Sequence, residues 1–188
     1  MNDQLSINRP IKYWYLPVIL GLLFLGLGIG IFLTPLASFV VLAMLFALFF
    51  LLTGLIDMVY AVTNKETIDR WGWSLLGGII DFLIGVLLVA KPNISMVALP
   101  FFVGFGILFR SIMAIGWSLE LKRFGGLNWG YLLTIGILGV IFAFIMLWNP
   151  LFGGLTIVFY TGFAFVIIGV FHVYLSLQLK KINKHFSS

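Results

Sequence analysis

The chain has 188 residues, 62% of them hydrophobic and 9% charged, with a mean hydropathy of +1.19. Seventeen charged residues cannot hydrate a globule of this size, so a soluble domain is excluded. Eleven Lys and Arg against six Asp and Glu are too sparse for a nucleic-acid footprint, and the lack of Cys excludes disulfides, iron–sulfur clusters and thiol catalysis.

The expectation is an all-α integral membrane protein, with no cofactor and no metal, whose first partner is the lipid bilayer. The uncharged run 13–56 is too long for one crossing, and Thr34-Pro35 divides it into predicted helices over 14–33 and 36–62. Arg9 and Lys12 precede this stretch as in a signal peptide, but the stretch recurs twice downstream, so the first helix is expected to stay. Lys91-Pro92-Asn93 separates predicted helices over 72–90 and 94–118. The last run, 124–179, would be about 84 Å long as one helix against a hydrocarbon core of about 30 Å. It must fold back, and Asn149-Pro150 divides it into 128–148 and 151–178. Six helices in three tight hairpins follow, with Pro35, Pro92 and Pro150 at the turns, as a single membrane domain over 1–188.

Charge sets the expected orientation. Arg9, Lys12, Lys65, Arg70, Lys122, Arg123, Lys180, Lys181 and Lys184 lie on the side of the termini and longer loops, and Lys91 alone lies on the Pro side. That nine-to-one bias places both termini in the cytoplasm. Tyr13, Trp14, Trp71, Trp73, Trp117 and Trp129 fall at the same boundary as an aromatic belt, with Trp148 at the other.

The hairpins repeat. Trp14, Trp71 and Trp129 are 57 and 58 residues apart, as are Pro35, Pro92 and Pro150. Each Trp is followed after seven residues by Gly21, Gly78 or Gly136, and after seven more by Gly28, Gly85 or Ala143. Gly54, Ser111 and Gly169 stand nineteen after each Pro. Small residues on one face let helices approach closely in lipid, so these positions are expected to pack helix on helix. The units, about 13–65, 70–123 and 128–181, each cross the membrane an even number of times, which implies parallel repeats about a pseudo-threefold axis along the membrane normal.

On these residues the chain resembles the HdeD-like bacterial membrane proteins, also described as a domain of unknown function. The resemblance rests on the Gly-x6-Gly-x6-Pro layout (Gly21, Gly28, Pro35, and Gly78, Gly85, Pro92), on Gly54 and Gly169, and on the six-helix length. Ala143 and Ser111 depart from the pattern. The resemblance implies a bacterial inner-membrane protein linked to acid resistance and stress survival, and it supplies no catalytic residues. Mitochondrial solute carriers share the three-hairpin outline, but their Pro-x-acid signature is absent: Pro35 is followed by Leu-Ala-Ser-Phe and Pro150 by Leu-Phe-Gly-Gly.

Charges inside the bilayer cost at least about 2.5 kcal/mol each, so they call for an explanation. Counting from the Pro turn, Asp81 lies about 16 Å and Arg110 about 27 Å deep, and their side chains lean toward each other. Asp57, about 33 Å from its own Pro, leans toward Arg110 as well. Asp81 shares a face with Ser74, Gly78 and Gly85, and Arg110 with Gly106 and Ala114. The simpler reading is a charge pair locking two helices of one hairpin. The sharper reading has Asp81 take up a proton in acid and release Arg110. His172, equivalent to Asp57, is a candidate pH sensor. Glu66, Asp69 and Glu120 lie among Lys and Arg and read as solvated. Gly26-Leu-Gly-Ile-Gly30 is packing within an apolar helix rather than a nucleotide loop.

With no Ser-His-Asp set, paired carboxylates or ligand cluster, no enzyme is expected. A non-enzymatic stress protein leads, and a small proton or solute transporter using Asp81 and Arg110 is the alternative. Further copies of the chain or other membrane proteins are the remaining partner classes.

Overall fold

A computed structural model describes residues 15–66, 70–125 and 128–186, with side chains as far as Leu179. Among them are six α-helices and no strand: α1 (Leu16–Leu33), α2 (Pro35–Thr63), α3 (Trp71–Ala90), α4 (Pro92–Arg123), α5 (Trp129–Trp148) and α6 (Pro150–Phe186). Each is long and apolar enough to cross a bilayer. The bounds agree with the sequence expectation to within two residues, except that α4 runs five residues and α6 eight residues further. Trp14, Tyr13 and Asp69 lie outside the described residues.

Each Pro opens a helix, where its missing N–H costs nothing and its fixed φ suits the first turn. One residue then makes each turn. Thr34, Lys91 and Asn149 adopt φ/ψ of −131°/63°, −131°/83° and −130°/93°, away from the α region that a following Pro disfavours. Local polar groups hold these turns. The buried Ser95 hydroxyl donates to Leu88 O at 2.6 Å, Thr34 Oγ1 to Gly30 O at 3.0 Å, and Asn149 Oδ1 accepts from Phe152 N at 3.1 Å.

The interior is small and the exterior large, the reverse of a soluble core. Ala43, Ala47, Ala61, Ala143, Ser118 and Ser176 are at most 1% exposed, whereas Leu33 and Trp148 are 76% and 92% exposed. In lipid a large apolar side chain gains little by turning inward, so close packing of small residues decides which face is buried. Buried residues recur at the repeat period on every second helix: Ala43, Ala47, Gly54 and Ala61 on α2; Pro100, Gly104, Ser111 and Ser118 on α4; Val158, Gly162, Gly169 and Ser176 on α6.

Two compact units are distinguished. One comprises residues Met1–Pro35 and Val158–Ser188, which hold α1 and most of α6; the other is Leu36–Ile157, with α2 to α5 and the first turns of α6. In the first, α1 packs on α6. A Cβ at Gly21 would stand 2.8 Å from Gly169 O, and one at Gly28 3.0 Å from Gly162 O. In the second, α2 packs on α3, where a Cβ at Gly54 would meet Phe82 N and one at Gly78 would lie 2.8 Å from Met58 N. There too α4 packs on α5, with Gly136 against Ser111 and Ile115 and Gly104 against Leu147. The tight seam therefore joins the second helix of one repeat to the first helix of another, and not the two arms of a hairpin.

The three seams share one register. Gly54, Ser111 and Gly169 face Gly78, Gly136 and Gly21, and Met58, Ile115 and Val173 face the same three glycines. At the Pro-turn end of the larger unit, Phe39 is 2% exposed with its ring against Gly154, while Gly153 lies against Pro100.

Candidate functional site

Asp57, Asp81 and His172, three of the ionisable side chains within the spans, lie along these seams. Asp57 sits on α2 one turn beyond Gly54, and its Cβ lies 3.0 Å from the place a Cβ would take on Gly78 of α3. Asp81 sits on α3 one turn beyond Gly78. The same register holds His172 and Phe24 at these two positions in the α6·α1 seam, where their rings are 5.8 Å apart. Asp57 and Asp81 thus share a flank of the α2·α3 seam. The α4·α5 seam has Ala114 and Gly139 there and carries no charge.

The surroundings of the two groups differ. Asp81 is half-buried and Asp57 exposed. His172 is half-buried, with Nδ1 2.9 Å from Ile168 O, a hydrogen bond when that nitrogen carries the proton. Phe171 stands edge-on at 6.1 Å, and Phe24 also stacks on Phe165 at 5.7 Å. Arg110 is exposed on α4, one turn from Gly106, whose side-chain position is open space. Among the described residues no ion pair joins Asp81, Arg110 and Asp57, and no group of three or more His, Asp or Glu could hold a metal ion.

The glycines expected to pack do so unevenly. Gly21, Gly28, Gly54, Gly78, Gly85, Gly136 and Gly169 all lie in seams, while Gly26 and Gly30 face open space. Sequence reasoning missed the rest of the second-helix stripe because Ala, Pro, Ser and Val carry it beside Gly. The period that exposes Gly54, Ser111 and Gly169 also exposes Ala61, Ser118 and Ser176, seven residues on.

A short repeat of unknown function, DUF308, matches the chain three times, over residues 19–90, 77–148 and 134–187. The chain belongs to the DUF308 family. The matches begin 58 and 57 residues apart, which is the spacing of the Pro turns. In this DUF308 protein the first match runs from α1 through α3 and the second from α3 through α5, so each encloses one complete seam, α2·α3 or α4·α5. Neither a curated protein nor a solved structure matches the chain.

Proposed function

We propose that this DUF308 chain is a non-enzymatic protein of the bacterial cytoplasmic membrane that supports tolerance of acid or envelope stress, through its own packed structure or through partners in the membrane. The observation that carries this reading is the recurrence of one seam in one register three times, with buried small residues on every second helix. Such a chain spends its repeated residues on packing. The stress role comes from the resemblance to the HdeD-like proteins, and the cytoplasmic placement of both termini from the nine-to-one bias of Lys and Arg. The 57- and 58-residue period supports parallel repeats about a pseudo-threefold axis.

A second reading has one specific observation in its favour. Asp57 and Asp81 share a flank of one seam without an ion pair to Arg110, which suits a route for protons or a small solute better than a lock. Proton flux into proteoliposomes carrying a pH dye separates the two, with the outside taken from neutral to about pH 4, near the ordinary carboxylate pKa. The packing role predicts no flux from wild type or from Asp81→Asn, together with poor acid survival of a deletion strain that either form restores. Wild-type flux that disappears in folded Asp81→Asn overturns it in favour of transport.

A further inference from the structure

At the loop end of the seams, Lys122 Nζ stands 4.4 Å from the centroid of the Trp129 ring, joining the end of α4 to the first residue of α5. Both partners recur. Lys65, Lys122 and Lys180 are 57 and 58 residues apart, as are Trp14, Trp71 and Trp129. Lys180 and Trp14 lie outside the described side chains. Lys65 and Trp71 are described, and they make no such contact.

The difference follows from how the two helices end. α4 continues to Arg123, so Lys122 is still helical, and the chain turns off only at Phe124 and at Gly125, whose φ is +69°. α2 stops at Thr63. There Asn64 turns back on the helix, with its backbone N and its Nδ2 3.0 and 2.9 Å from Tyr60 O. The side-chain amide shares the acceptor of this last helical bond, and Lys65 follows in the turn. Leu121 holds the place of Asn64 in α4, and there the helix continues to Arg123.

We propose that this lysine is a cation–π clasp across the inter-repeat seam, closed at α4·α5 and open at α2·α3, so that α2·α3 is the seam that parts at its loop end. The clasp stands under either functional reading. It also selects, of the two seams in the larger unit, the one that carries Asp57 and Asp81, and its parting exposes the half-buried Asp81 beside the already exposed Asp57. The small-residue stripe is left to hold that seam further along the helices.

The chain has no cysteine, so single thiols report cleanly. Ala61 and Ser118 are equivalent, are both 0% exposed, and each lies one turn before its lysine. Maleimide labelling of Ala61→Cys and Ser118→Cys is followed in the full-length protein in detergent micelles, each rate normalised to that of the unfolded protein. Ala61→Cys is expected to label about two- to fivefold faster, the population change that one exposed cation–π contact supports. Adding Lys122→Met raises the Ser118→Cys rate by the same factor, whereas Lys122→Arg keeps it slow because a guanidinium also stacks on indole. Asn64→Leu slows Ala61→Cys labelling, and Lys65→Met cancels that gain. Equal parent rates, an Ser118→Cys rate indifferent to Lys122→Met, or an Asn64→Leu effect that survives Lys65→Met would each overturn the proposal.

Discussion

The α6·α1 seam of the smaller unit and the α2·α3 seam of the larger one align the same repeat positions, yet the helices touch through different atoms. In α6·α1 the first neighbours of Gly21 and Gly28 include the Cγ2 atoms of Val173 and Val166, at 2.8 and 2.7 Å from where a Cβ would stand. In α2·α3 a Cβ at Gly85 would run into Leu51 N and Leu51 Cα, which are backbone. Met58 and Leu51 occupy the places of Val173 and Val166. A β-branched side chain puts a methyl at the level of its own Cβ and is stiff there, so it props the partner helix away, whereas Met and Leu branch later or not at all and let the backbones close. Ile115 in the α4·α5 seam follows the rule, presenting Cγ1 to Gly136 ahead of its backbone N. Branching at the position of Leu51 and Val166 therefore separates the two seams at Gly85 and Gly28, whereas at Gly78 and Gly21 backbone atoms come equally close, Met58 N at 2.8 Å and Gly169 O at 2.8 Å. The flanks differ as well: aromatic rings fill that of α6·α1 around His172, while that of α2·α3 carries two carboxylates.

The largest expected effect exploits backbone against methyl. Gly85→Ala forces two helices apart, because no rotamer of Leu51 moves its N or Cα, and a loss of about 3 kcal/mol is expected. Gly28→Ala meets the Val166 methyl and the Gly162 carbonyl at 3.0 Å, and about 1 kcal/mol is expected. Reversible unfolding in mixed detergent micelles measures both, and equal losses would break the distinction between the two seams. Next in size, Leu51→Val gives α2·α3 the prop that α6·α1 already has. Its new methyl points at Gly85, and a loss of roughly 1 kcal/mol is expected in the same assay, with the reverse change Val166→Leu costing less. If Leu51→Val is silent, branching does not set the approach.

Much of this architecture was legible beforehand, and the illegible part has a physical cause. Helix count, turns and repeat period come from charge gaps and from Pro35, Pro92 and Pro150, which act locally and so show in a single stretch of sequence. The face of each first helix that packs was likewise visible in Gly21, Gly78 and Gly136. Its partner was not. Spacing reveals which face is buried without revealing what buries it, and the nearest candidate in sequence, the other arm of the hairpin, is not the helix that closes on the glycines. The same gap separates the expected lock between Asp81 and Arg110 from the observed arrangement, in which Asp81 shares a seam with Asp57. Lys65, Lys122 and Lys180 were read only as topology charges, because a cation–π clasp depends on whether the helix still continues at the lysine. In α4 it does at Lys122, whereas α2 has already ended at Thr63.

The smallest effect tests whether glycine alone marks a seam. Gly26, Gly28 and Gly30 alternate along α1 and look alike in sequence, but a helix turns 100° per residue, so Gly28 points away from both neighbours. Only Gly28 meets α6; a Cβ at Gly26 or Gly30 would meet nothing within 4 Å. Alanine at either site removes conformational freedom from the unfolded chain without a collision, so Gly26→Ala and Gly30→Ala are expected to leave stability within about 0.5 kcal/mol of wild type or to raise it. Their rank below Gly28→Ala completes the comparison within a single helix. A loss matching that of Gly28→Ala would show that the Gly26 and Gly30 face of α1 closes on a further surface, such as a second copy or another membrane protein, since no described residue stands close enough to resist one methyl group.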